Sequence, residues 1–163
     1  MSNITEEVQD RFRQFLIAHQ LRQTRERFAI LNAIYSLDGT FTIEDLELLM
    51  QERRFPVSKS AIYNTTQLLV QANLLIRHPF SSSSAVFERI VDDRPRSYQI
   101  CSNCHRITRI KSKELAASLD SYRPRTFSIT HRIAYIYGVC PGCQRQMRKQ
   151  LQMASKSHNL KPS

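Results

Sequence analysis

The sequence predicts an α+β chain in two parts, a winged helix-turn-helix followed by a small α/β domain closed on four cysteines. Three observations predict it. Apolar residues recur at helical spacing through roughly the first 73 residues and then give way to two short β-like runs. The only four cysteines form two Cys-x-x-Cys pairs, Cys101 with Cys104 and Cys140 with Cys143, with 35 residues between the pairs. Charge divides the chain at the same place: residues 1–93 hold 10 Lys and Arg against 12 Asp and Glu, residues 94–163 hold 14 against 2.

Val8, Phe12, Phe15 and Leu16 give the first helix its stripe, and Phe28, Leu31 and Tyr35 give the second its own. Thr42-Ile43-Glu44-Asp45 has the form of a capping box, with Asp45 in the usual Glu or Gln place, and opens a third helix through Leu46, Leu49 and Met50. Phe55-Pro56-Val57 breaks it. A fourth helix, from Ser58 to about Asn73, buries Ala61, Thr65, Leu68, Leu69 and Ala72. Leu74 to His78 and Ala85 to Ile90 read as a hairpin around Ser81 to Ser84. Residues 1–91 thus make the winged helix, and 92–96 (Asp92-Asp93-Arg94-Pro95-Arg96) a hinge.

Beyond the hinge, Tyr98 to Cys101 and Ile107 to Ile110 are short strands, and Ser112 to Tyr122 is a helix with Leu115 and Leu119 one turn apart. Thr126 to Val139 alternates as a long strand, with Phe127, Ile129, His131, Ile133, Tyr135, Tyr137 and Val139 on one face. Gln144 to Met153 is a short helix that ends a domain of residues 97–153, and 154–163 is a disordered basic tail.

A two-residue spacer lets both thiolates of a pair reach one ion from a tight turn, and two such knuckles complete a tetrahedral sulfur shell. Met1 to Asp10 carries Glu6, Glu7 and Asp10 without an apolar core, so it is not a signal peptide, and no apolar run reaches the ~18 residues of a membrane span. A cytoplasmic location keeps thiols reduced, and one structural Zn2+ per chain is the expectation. The alternatives are disulfides or a thioredoxin-like redox site; the latter needs a βαβ context that the sequence does not display.

The net charge of +10 points to a polyanionic partner, with nucleic acid the usual one. The fourth helix is the candidate reader. Opposite its buried stripe lie Ser60, Tyr63, Asn64, Gln67 and Gln71, with Lys59 beside its start. Asn and Gln can bond adenine bidentately and an aromatic ring can pack on a thymine methyl, so an A·T-rich site in double-stranded DNA is expected. Arg22, Arg25 and Arg27, between the first two helices, suit phosphates or a narrow minor groove, or are simply a solvated charge run. The near-neutral N-terminal half implies modest affinity per chain, hence a dimer on a two-fold site.

The order of parts resembles the ferric uptake regulator family of metal-responsive transcriptional repressors, from about Leu21 to Cys143. The resemblance is carried by Leu21 to Arg27, Ser60-Ala61-Ile62-Tyr63-Asn64, Leu74 to His78, Ala85-Val86-Phe87-Glu88, Ile100 to Cys104, and Tyr135 to Cys143. It implies a C-terminal dimerisation domain with a four-cysteine zinc site, base contact by Tyr63, a minor-groove role for Arg22, and regulation of metal- or iron-homeostasis genes. Asn64 departs from the Arg common at its position.

The regulatory metal site departs further. Positions where the resemblance implies His ligands are Arg96, Tyr98, Thr40 and Arg132, and an implied carboxylate is Arg109. Glu88 still matches, and Glu88 with Tyr98 is what remains of such a site. A guanidinium offers no lone pair and repels a cation. The expectation is a dismantled sensor in which Arg96, Arg109 or Arg132 pairs with Glu88, or in which these are unrelated solvated arginines. His131, next to Arg132, is expected in the core or the dimer interface.

Other functions compete. Cys140-Pro141 is a pair of the kind seen in haem-regulated proteins, with Tyr98, His78, His105 and His131 as further ligands, although Cys140 cannot easily serve zinc and haem together. A zinc-ribbon nucleic-acid binder without operator specificity would bind sequence-indifferently. An enzyme is not expected: there is no His-Glu-x-x-His, no glycine-rich phosphate loop, and a closed thiolate shell leaves no open coordination position.

Overall fold

The computed structural model of the chain describes residues 2–79, 84–92 and 94–158, and from these the chain divides into two compact units, Met1–Asp92 and Asp93–Ser163. Of the expected wing turn at 81–84, residues 81–83 lie outside the described residues, as do residues 159–163 of the expected tail.

In the first unit, α1 (Ser2–Ala18), α2 (Arg25–Tyr35), β1 (Thr40–Thr42), α3 (Ile43–Glu52), α4 (Lys59–Gln71), β2 (Leu75–His78) and β3 (Val86–Arg89) follow in order. Val8, Phe12 and Leu16 of α1 are buried, as are Ile30, Leu31, Ala33, Ile34 and Tyr35 of α2. The Phe12 ring stacks on Phe15 at 6.5 Å and meets Phe28 edge-on at 5.7 Å, so aromatic contact joins α1 to α2. At the head of α3, the Thr42 hydroxyl accepts from the Asp45 N–H and the Asp45 carboxylate accepts from the Thr42 N–H. Ser58 caps α4 by accepting from Ala61 N–H. Ile62, which the expected stripe omits, is fully buried in α4 beside Thr65, Thr66 and Leu69.

The three strands pair antiparallel in the order β1-β3-β2. Strand β1 was not foreseen, being three residues long and sharing Thr42 with the helix cap. The buried Tyr35 hydroxyl lies 2.9 Å from the Leu74 carbonyl and 3.0 Å from that of Ile90, pinning both ends of the hairpin to the last turn of α2.

The second unit runs β4 (Arg96–Cys101), β5 (Ile107–Arg109), α5 (Lys113–Ser121), β6 (Ile133–Gly138) and α6 (Pro141–His158). Its sheet order is β5-β4-β6, antiparallel on one side and parallel on the other. The parallel β4–β6 pair, joined through β5 and α5, is a crossover of the βαβ kind that the sequence did not display.

Two further expectations are corrected. The long strand over 126–139 is only Ile133–Gly138, because β4 starts at Arg96, opposite Ile133, and residues before that have no strand to pair with. His131 is therefore outside the strand and exposed, its Nδ1 3.2 Å from Thr130 Oγ1. The last helix starts at Pro141, not Gln144, and runs to His158. Proline is favoured at the first helical position, and nothing after Met153 breaks the turn. The second unit is poorly filled: α5 has no fully buried residue, while Tyr122, Phe127, Ile136 and Tyr137 are exposed. Among the described residues, no helix is long and apolar enough to cross a membrane.

Candidate metal centre and nucleic-acid interface

Cys101 ends β4 and Cys104 follows in a tight turn closed by His105 N–H to the Cys101 carbonyl (2.9 Å) and Cys101 N–H to the Arg106 carbonyl (3.0 Å). Positive φ at His105 (58°) lets the chain reverse there. Cys140 follows β6 and Cys143 lies in the first turn of α6, where Gln144 N–H bonds the Cys140 carbonyl at 2.9 Å. The parallel register Cys101↔Gly138 brings the two knuckles together.

All four sulfurs lie within 4.8 Å of one another. The Cys104 and Cys140 sulfurs are 3.8 Å apart, against about 3.8 Å between ligands of a tetrahedron with ~2.3 Å zinc–sulfur bonds. No disulfide is present, since bonded sulfurs sit near 2.05 Å. Backbone N–H groups of Cys104 (3.5 Å) and Cys140 (3.3 Å) donate to the Cys101 sulfur and pull its pKa down to about 6. The Cys143 N–H likewise lowers Cys140. Asn103 lowers Cys143, but its hydrogen bond with Cys140, together with burial, wins and pushes it up to about 11. Four thiolates this close repel, and a divalent cation relieves that repulsion; the donor set fits zinc. A haem on Cys140 would have to take a sulfur out of this cluster.

Among the described residues, the four cysteines are the one group of three or more His, Cys, Asp or Glu side chains close enough to share an ion. Glu88 is buried in β3 with its Oε2 3.2 Å from His78 Nε2. Sequence reading missed this partner; the signal was register, since Ile76↔Glu88 and His78↔Val86 put His78 and Glu88 diagonally on one face. Tyr98 is buried in β4 with its ring 6.0 Å from Tyr135. Arg96 is buried, Arg109 is exposed opposite Tyr98, Thr40 is exposed at the start of β1, and Arg132 approaches Asp120 at 3.7 Å.

On α4, Lys59, Ser60, Tyr63 and Asn64 are exposed and line a groove with Ile43 and Glu44 of α3 and Ser84 and Ala85 before β3. Tyr63 is 47% exposed and lines this groove. Gln67 departs from the expected reading face: it is half-buried, and its amide nitrogen is sealed from solvent without a hydrogen-bond partner. Arg22 is exposed in the loop between α1 and α2, and Arg27 reaches back to donate to its carbonyl. Lys59 is paired with Glu44 at 2.8 Å, a contact the sequence pattern did not reveal. The bond to Lys59 lowers the Glu44 pKa, and the bond to Glu44 raises that of Lys59.

Comparison with known proteins places this architecture. The model of the ferric uptake regulator family matches residues 18–136, most of the chain, ending before the second cysteine pair. The ferric uptake regulation protein of Campylobacter jejuni is 27% identical over 144 residues, covering 86% of this chain and 90% of that protein. The peroxide operon regulator of Bacillus subtilis is 26% identical over 133 residues, covering 77% and 86%. Among solved structures, a ferric uptake regulator from Pseudomonas aeruginosa with manganese aligns with a TM-score of 0.63 at 22% identity, covering 77% of this chain and 95% of that one. That of Helicobacter pylori also gives 0.63, at 17% identity, covering 86% and 93%. The chain belongs to the ferric uptake regulator family.

Proposed function

We propose that the chain is a cytoplasmic, homodimeric DNA-binding transcriptional regulator, a repressor of metal- or iron-homeostasis genes at A·T-rich two-fold operators. One structural zinc stays on its four cysteines, and its regulatory metal site is altered or absent. The observation that carries the reading is the α4 groove: an exposed aromatic and three polar or basic side chains on one helix face, beside the start of the wing strand, in a chain of this family.

In this reading α4 enters the major groove. Tyr63 packs on a thymine methyl, Asn64 takes the adenine edge, and Ser60 and Lys59 serve adjacent bases or phosphate. Arg22 reaches a phosphate or the minor groove. The exposed apolar side chains of the second unit, Phe127, Ile136 and Tyr137 among them, support burial against a second copy.

Zinc supplies a closed thiolate node when bound. The chain's own part is to bring the β4–β5 turn and the head of α6 to one point, so the metal is a staple between them. Glu88 pairs with His78 and arginines stand at implied ligand positions, which supports a weakened response to iron or manganese. Selection from random duplexes by the zinc-loaded dimer tests the DNA reading. It should enrich A·T-rich inverted repeats; G·C-rich half-sites, or no enrichment, would refute it.

A further inference from the structure

The charge that a DNA-binding chain needs is not on its recognition unit. Residues 1–93 are net acidic, and Lys59 is already paired with Glu44. The excess lies beyond residue 93, and α6 displays it most openly. That helix carries Arg145, Arg148, Lys149 and Lys156 and no aspartate or glutamate. At 3.6 residues per turn, Arg145, Arg148 and Lys149 share one face with Gln152, while Cys143, Met147, Leu151 and Ala154 share the opposite one. Every side chain from Gln144 to Ala154 is exposed. Of the two acids in residues 94–163, Glu114 accepts from Ser112 and Asp120 faces Arg123 and Arg132, so neither neutralises α6.

We infer that the basic face of α6 is a second, sequence-indifferent nucleic-acid contact, with Arg145, Arg148 and Lys149 gripping phosphates of duplex DNA. This rests on the DNA-binding reading above. Charge complementarity selects the occupant. The three cations lie within about 6 Å along the helix axis, a length over which duplex DNA presents roughly three phosphate charges. A second copy of the same face would set cation against cation. An anionic membrane is poorly matched, because the apolar face offers Met147, Leu151 and Ala154 and no aromatic side chain. The contact gives the chain sequence-indifferent affinity, and α4 then chooses the site.

The test is fluorescence anisotropy of the full-length zinc-loaded protein on a random-sequence duplex between about 50 and 200 mM KCl. Three phosphate contacts predict that R145Q/R148Q/K149Q flattens the slope of log K against log salt by about 2.7, so wild type loses roughly forty-fold more affinity than the variant across that range. A variant that keeps the charge, R145K/R148K, should retain the slope, and K111Q/K113Q/R125Q, which removes three cations elsewhere in the unit, should change it less. Zinc content and helical circular dichroism verify that each variant is folded. An unchanged slope in R145Q/R148Q/K149Q overturns the inference, as does an equal loss in K111Q/K113Q/R125Q. Phosphatidylglycerol vesicles bound by wild type and released by R145Q/R148Q/K149Q, with the duplex slope intact, overturn it in favour of a lipid surface. No duplex binding by wild type at any salt overturns the DNA-binding reading itself.

Discussion

Replacing Tyr35 by Phe removes one oxygen from the base of the wing. The hydroxyl has a single proton and two nearby acceptors, the carbonyls of Leu74 and Ile90. Leu74 is already served by the Ile90 N–H at 3.0 Å, so the Ile90 carbonyl is the one that depends on the hydroxyl. A buried carbonyl left without a donor costs about 1–3 kcal/mol, and Tyr35 is only 8% exposed, so water replaces the hydroxyl poorly. The expected loss is about 1–2 kcal/mol, or roughly 4–16 °C in the melting temperature of a unit this size. Arg89, which donates to the Tyr35 carbonyl and pairs with Asp38 at 2.5 Å, still braces β3 against α2. The wing should therefore stay in place and the denaturant slope stay constant. Chemical denaturation followed by circular dichroism and tyrosine fluorescence measures this. A change below about 0.3 kcal/mol would show that strand pairing alone holds the hairpin ends, and the clamp would be refuted.

Other perturbations follow from the same geometry. Phe12→Ala empties a fully buried site that touches two aromatic rings and should cost about 3–5 kcal/mol in denaturant melts; a loss under about 1 kcal/mol would contradict the packing of α1 on α2. Glu44→Gln frees Lys59 for phosphate, so the salt slope on a random duplex should steepen by about 0.9, and a flatter slope would mean that Glu44 positions Lys59 productively. Because Lys59 holds the Glu44 carboxyl below its ordinary 4.5, the pair is intact above that value and is lost only as pH falls through the lowered one. The difference between wild type and E44Q should hence be constant from about pH 6 to 8. Removing zinc with a strong chelator should strip helical signal from α6 and expose four titratable thiols while the N-terminal helices persist; retention of α6 would deny the staple role.

Local signals were legible in the sequence and pairings between distant segments were not. The Cys-x-x-Cys spacing encodes each knuckle within four residues, and Thr42 to Asp45 encodes its own cap. The His78–Glu88 pair depends on hairpin register, and the Glu44–Lys59 pair on how α3 packs beside α4. Strand β6 is shorter than its alternation suggests, because alternation says what a strand could bury, whereas its length is set by where β4 begins. Pro141-Gly142 reads as a turn, yet proline at the first position starts α6. A helical wheel sets Gln67 on the DNA face, but helical spacing carries no information on which polar atoms of a side chain are sealed from solvent, as its amide nitrogen is.

The central claim is a regulator whose zinc is structural and whose sensing site has been replaced by arginine and an internal His–Glu pair. Metal analysis of the protein purified without added metal, joined to a duplex-binding titration with Fe2+ and Mn2+ on that same sample, tests it most directly. The account predicts one zinc per chain, no second metal, and DNA affinity unchanged by either ion. A second stoichiometric metal, or binding that appears only when iron or manganese is added, would contradict it.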